Sequence, residues 1–273
     1  MKKRNKVLSV ILSAVVGLVM CFGATGAAFA ADGDAYLALG ASLDDSEKAT
    51  VLNLLGVSDT NDYNIIYVTN QEEHKYLDGS VDSNQIGSRA LSSILIKETG
   101  GSDITVETHN IGFCTSEMYK NALATAGVSG AEVKVAGPFE ISGTAALVGI
   151  IKAYEEMTGK DVSDEVIEGS VEELNTTGEL GEEIGDKDTA AEIMSDVKEQ
   201  MAQNPNMSAE EIKEAISDAA SDHGVTLSEN TLNNAQNTLE HLQGLDINWD
   251  NIDLGKAQGL FNRFINWVMG LFN

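Results

Sequence analysis

The stretch from Asn110 to Glu155 constrains this chain most, because two amphipathic helix patterns flank a single alternating strand within it. Ala131 to Val135 alternates apolar and polar residues with the period of two that a half-buried strand requires. Gly137-Pro138 follows and predicts a turn, since proline has no N–H to give to a ladder. Each helix opens on hydroxyl residues, Thr115 and Ser116 in one, Ser142 and Thr144 in the other, as helix caps prefer. Sheet signals lie before this stretch and helical periodicity after it. The pattern predicts an α/β (or α+β) layered sheet domain followed by an α-helical C-terminal region.

Upstream, Tyr36 to Leu39 reads as a short strand, and Gly40-Ala41-Ser42 turns it into a helix over Asp45 to Leu55. Asp44 and Glu47 sit at capping-box spacing, and Gly56 closes that helix. Ile65 to Val68 is a continuous apolar run, which predicts a buried strand. Asn70 to Gln85 reads as a long polar loop carrying Glu72, Glu73, His74 and Lys75. Ala90 to Ile96 and Ile104 to His109 then predict two strands joined as a hairpin through Thr99-Gly100-Gly101-Ser102. In the second of these, Thr105, Glu107 and His109 share one wet face.

Downstream the composition changes. Glu155 to Asp188 holds thirteen acidic residues against two lysines and is punctuated by glycine, so residues 158–188 read as a connector between a sheet domain (31–157) and a helical region (189–273). Neighbouring acids such as Glu182 and Glu183 diverge by about 100° on a helix and read as a solvated face rather than an acid–base pair. Beyond them, Ala190, Ile193, Met194, Val197 and Met201 form an apolar stripe behind a capping box at Thr189 and Glu192. A second stripe on Ile212, Ala215, Ile216 and Ala219 follows the box Ser208–Glu211, and a third on Leu232, Ala235, Leu239 and Leu242 follows Ser228. Such stripes pack on one another or on the sheet.

The two ends differ from the body. Residues 1–30 carry Lys2, Lys3, Arg4 and Lys6, then an apolar run from Val7 to Phe22, then Ala28-Phe29-Ala30, the layout of a secretory signal peptide cleaved after Ala30. Removing it leaves 13 basic against 43 acidic residues, a net charge of −30, which opposes binding to nucleic acid. Only Cys114 remains after cleavage, so no intrachain disulfide is available and burial has to hold the fold. At the far end Leu260, Phe261, Phe264, Trp267, Val268 and Leu271 make an apolar arc whose segment has only Lys256 and Arg263 as charges. Terminal helices commonly dock on their own domain; an arc of this kind also suits a protein partner or a membrane interface.

Motifs for chemistry are few. Asp246-x-Asn248-x-Asp250 opens like a calcium loop, but Asn251 stands where glycine should turn the chain and Ala257 where a carboxylate should close the sphere. The four histidines have no metal-ligand spacing, so no metal or other cofactor is expected. Gly40-Ala41-Ser42 lacks the further glycine of a nucleophile elbow, having Asp44 there, and no catalytic set can be assembled. The remaining candidate is geometric. If the helices near Thr115 and Ser142 both follow strands of one layer, Thr115, Ser116, Ser142, Gly143 and Thr144 meet at one sheet edge and offer N–H groups and hydroxyls to a small polar ligand. Ordinary capping accounts for the same residues.

The runs TSEMYKNALATAG, VKVAGPFEISGTAALVGIIKAYE and, upstream, IGSRALSSILI resemble the YpuA-like family of secreted Gram-positive proteins, a family of unknown function. The resemblance runs from Tyr36 to about Leu245 and is weakest over the aromatic tail. It implies export and a shared fold, and it supplies no catalytic residues. The sequence thus favours a secreted or cell-envelope protein with a non-enzymatic binding or structural role toward an envelope or protein partner. The alternatives are an extracytoplasmic hydrolase of envelope material and a membrane-surface protein held by the C-terminal helix.

Overall fold

A computed structural model describes residues 35–81, 86–247 and 249. The signal-peptide stretch, the Asn248 and Asp250 of the calcium-like motif, and the tail residues Leu260, Phe261, Phe264, Trp267, Val268 and Leu271 lie outside the described residues. Among those described, no helix is long and apolar enough to cross a membrane.

The chain runs β1 (Ala35–Gly40), α1 (Asp45–Leu55), β2 (Asn64–Val68), α2 (Asn70–Leu77), β3 (Ser93–Glu98), β4 (Ile104–Ile111), α3 (Ser116–Thr125) and β5 (Ala131–Ile141). It continues as α4 (Ala146–Thr158), α5 (Asp164–Ile184), α6 (Lys187–Gln203), α7 (Ala209–Asp222) and α8 (Glu229–Gly244). A mixed five-stranded sheet with helices is therefore followed by a helical region.

The strand order is β2-β1-β3-β5-β4. This corrects the hairpin expected from Thr99-Gly100-Gly101-Ser102: β3 and β4 are not neighbours, because β5 lies between them, antiparallel to β3 and parallel to β4. A Gly-rich connection is compatible with either arrangement, and burial decides. Val133 and Val135 on β5 are shielded on both sides only in an interior position, whereas β4 can sit at an edge with its polar residues wet. His109 is on that wet face, its side chain 29% exposed and 3.1 Å from Glu107.

The Gly137-Pro138 turn is also corrected. β5 passes through the dipeptide, and the β4 ladder jumps from His109↔Ala136 to Ile111↔Ile141, so residues 137–140 bulge opposite Asn110. Asn110 takes φ +57° there and donates its side-chain amide to Gly137 O at 3.0 Å. A bulge removes the ladder partner that Pro138 could not have satisfied.

The expected loop over Asn70 to Gln85 begins as helix α2, capped by Thr69, whose hydroxyl accepts from Glu72 N while Glu72 returns to Thr69 N. The capping boxes at Asp44–Glu47 and Ser208–Glu211 and the Ser228 cap form as the spacing predicts. That at Thr189–Glu192 does not: α6 starts earlier, with Asp186 accepting from Asp188 N and Thr189 N.

The inner strands bury both faces of the sheet, whereas β2, expected to be buried, lies at an edge with Ile65 and Tyr67 exposed. Leu37, Leu39 and Leu95 face α1 with Val51 and Leu55, while Ala38, Ile94, Ile96, Val133 and Val135 face α3 and α4 with Met118, Leu123, Leu147 and Ile150. α5 lies against this second layer through Ile167, Val171 and Leu174, and carries Val166 and Leu180 into a second core with α6, α7 and α8.

One polar group sits inside the helix layer. Lys198 of α6 and Glu173 of α5 are fully buried. The ammonium donates to Asn121 O and Thr125 Oγ1 of α3, each at 3.0 Å, and lies 2.5 Å from Glu173 Oε1, off the axis of a hydrogen bond. Thr125 donates to Glu173 Oε2 at 2.5 Å, and Asn121 Nδ2 donates to Ala191 O at 2.7 Å. Three helices thus share one network, whose geometry tolerates little displacement.

Candidate functional site

Since β3 is antiparallel to both β1 and β5, the strands β1, β2, β4 and β5 all point the same way. Their carboxyl ends, where ligands commonly bind in open α/β sheets, share one edge with the entry into β3. The turns that follow Gly40, Val68, Ile111 and Ile141 all lie there.

Two of these turns hold each other closed. Phe113 N and Cys114 N donate to Ser142 O at 3.3 and 3.2 Å, and Tyr119 donates its hydroxyl to Gly143 O at 2.6 Å. Gly143 has φ +90°, and a Cβ there would fall 2.5 Å from Ile111 Cγ2 and 2.6 Å from Tyr119 Oη. Only glycine suits both the backbone and the space. Thr144 is 1% exposed, and its hydroxyl lies 4.0 Å from Cys114 Sγ. The Cys114 thiol is buried, which pushes its pKa up to about 12, the opposite of an activated thiolate.

The turn that leads to Thr115 and Ser116 therefore lies against the turn that carries Ser142, Gly143 and Thr144, but not as an open anion cradle. Thr115 caps α3 by accepting from Met118 N at 3.3 Å, with Ser116 the first residue of that helix. α4 begins at Ala146 rather than near Ser142, and its cap, Ala145, offers no side-chain hydrogen bond. Thr144 and Gly143 are packed inward. Ser142 is partly exposed and faces a cavity.

That cavity, of about 270 Å³, lies between the end of β5, helix α2 and the segment leading into β3. Ile141, Ser142 and Ala145 line one side, Glu73 another, and Ile86 to Arg89 with Leu91 and Ser92 the third. The segment is fastened to α1. Arg89 grips the Glu47 carboxylate at 3.0 and 2.5 Å and donates to Ser42 O at 2.8 Å. Ser42 Oγ accepts from Ala90 N at 3.1 Å, so Ser42 ties the two turns together. A Cβ at Gly40 would run into the Ala90 backbone, so glycine allows this close approach.

Glu73 is the residue that sequence reasoning missed. It is 1% exposed, and its Oε2 accepts from Asn70 Nδ2 at 3.1 Å. Burial raises its pKa to about 7, against smaller opposing effects of Asn70 and His74. The next residue, His74, has Nδ1 2.8 Å from Asp78 Oδ1 and Nε2 3.1 Å from Gly87 O. A doubly protonated ring satisfies both acceptors, and those hydrogen bonds raise its pKa. The available signal was the hydroxyl-acid pair Thr69–Glu72 at box spacing, which makes 70–77 a helix and turns Glu73 toward Leu77, four residues on. Among the described residues no cluster of histidine, cysteine and acidic side chains could hold a metal ion.

No solved structure matches the chain significantly. The chain is 44% identical over 241 residues to a Bacillus subtilis (strain 168) protein called "Uncharacterized protein YpuA", covering 86% of this chain and 82% of that one. A family model described as "Protein of unknown function (DUF1002)" matches residues 39–255, which takes in the sheet from the end of β1 onward, the cavity and the helical region. The chain therefore belongs to the DUF1002 family, whose function is unknown, and is YpuA-like.

Proposed function

We propose that this protein is exported, cleaved after Ala30, and acts outside the cytoplasm by binding a small polar ligand in the cavity between Glu73 and Ser142. Export rests on the basic, apolar and small-residue order of residues 1–30. Binding rests on one observation: a buried acid and a partly exposed serine line one cavity at the edge where the four parallel strands end. Native mass spectrometry of the protein purified from the cells that make it tests this. The expected result is a chain starting at Ala31 that carries a small-molecule adduct, lost in Glu73→Gln. A chain retaining residues 1–30, or one free of any adduct under all mild conditions, contradicts the reading.

A second reading is a hydrolase, favoured by a carboxyl group of near-neutral pKa in the same cavity as a serine. It requires a Ser142 that reacts with a fluorophosphonate probe. Labelling abolished by Ser142→Ala and weakened by Glu73→Gln supports it, and absence of labelling removes it.

A further inference from the structure

The cavity is lined on one side by a buried acid. Glu73 is almost fully buried, and among the described residues no basic side chain forms a salt bridge with it. The charged groups around it are each committed elsewhere. On α2, His74 is turned to Asp78 and Gly87 O, Glu72 binds Lys152 of α4, and Lys75 and Tyr76 bind Asp164 of α5. On the segment before β3, Arg89 is held by Glu47 and Ser42 O. Glu73 Oε2 has Asn70 as its partner, and Glu73 is among the residues that line the cavity.

A buried carboxyl group with no cation in direct contact stays largely protonated or takes a cation from outside. A metal ion is a poor match, because one carboxylate and scattered hydroxyls fall short of the six or so oxygen ligands a hard cation takes. An organic ammonium needs only one carboxylate and a few acceptors. Ser92 and Ser142 supply hydroxyls, and Ile86, Ile141 and Ala145 supply apolar wall for a short carbon chain.

Resting on the cavity reading above, we infer that the ligand is a small primary amine whose ammonium group pairs with Glu73 while its polar remainder meets the serine hydroxyls. The volume of about 270 Å³ limits it to the size of an amino acid or a short amino alcohol. Pairing requires the ionised carboxylate, so binding expels the proton that burial otherwise keeps on Glu73. A neutral or anionic ligand would do the reverse and favour the protonated acid.

Calorimetry with three probes of equal chain length, aminopentanol, pentanediol and hydroxypentanoate, separates these cases. Aminopentanol is expected to bind about tenfold more tightly at about pH 8 than at about pH 6, and to release nearly one proton near pH 6, read from two buffers of different ionisation heat. Glu73→Gln should lose both the affinity and the proton release while unfolding at a temperature no lower than the parent at pH 8. Pentanediol or hydroxypentanoate binding as well as aminopentanol overturns the amine assignment and leaves the cavity reading standing. Aminopentanol binding that tightens toward acid pH also overturns the assignment. Binding by none of the three at about 10 mM overturns both, since a site of this size should hold at least one fragment that weakly.

Discussion

Lys198 has no exposed surface, and the partners of its ammonium group come from two other helices. Removing one charge strands the other, so Lys198→Met is expected to cost ~3–5 kcal/mol in urea unfolding. Lys198→Met with Glu173→Leu should recover most of that loss, because Thr125 Oγ1 already lies 3.2 Å from Asn121 O and can turn its proton there. A double variant as unstable as the single one would mean that the pair contributes net stability. Glu73 poses the opposite case. Its folded pKa is raised from 4.5 to about 7, so its contribution to stability is complete below 4.5 and is lost as pH rises through 7. Glu73→Gln has no such titration and should gain about 3 kcal/mol on the parent between pH 5 and pH 8. Parallel pH profiles for the two proteins would contradict this. Neither Glu73 nor Glu173 was legible as buried. Each stands beside another acid, and composition assigns such pairs to water. For Glu173 the sign was the helix face Gly169, Ser170, Glu173, Thr177 and Gly181, small residues at helical spacing that mark close packing around one acid.

At the level of elements, α5 is held close to the turn after β4. A Cβ on Gly178 would enter the Phe113 ring, 2.5 Å from Cε1 and 3.1 Å from Met118 Cε. In an exposed helix interior, glycine to alanine gains about 1 kcal/mol. Here overpacking should reverse the sign, and Gly178→Ala is expected to lower stability by ~1–3 kcal/mol in chemical denaturation. A gain would place α5 farther from Phe113. Most elements were legible because their signals are local: Asp44 with Glu47, Ser208 with Glu211 and Gly56 fix boundaries by themselves. The position of β5 was not, since which strand lies inside the sheet depends on non-local burial of Val133 and Val135 rather than on the loop that precedes it. The site was half legible for the same reason. The turns after β4 and β5 share one edge, as the ligand reading of these residues requires, but that reading also requires Gly143 and Thr144 to face outward, and the Tyr119 and Cys114 contacts that turn them inward come from another element.

Across the whole molecule, a net charge of −26 on the full chain favours solubility and opposes compaction. Raising salt from about 10 mM to about 150 mM should therefore raise the unfolding temperature by screening this repulsion. A fall would show that ion pairs among the described residues, such as Lys75–Asp164 and Lys213–Glu229, outweigh it. The two cores and the bridging helix α5 tie the sheet to the helical region, so the cavity edge is backed by packed helices on its inner side. Glu73 is buried at that edge, and burial raises its pKa. Carbon-13 NMR of the Glu73 side-chain carboxyl across the pH range tests the point directly. A midpoint near 7 that drops when aminopentanol is added is the expected result, and a midpoint at 4.5, unmoved by the amine, would contradict it.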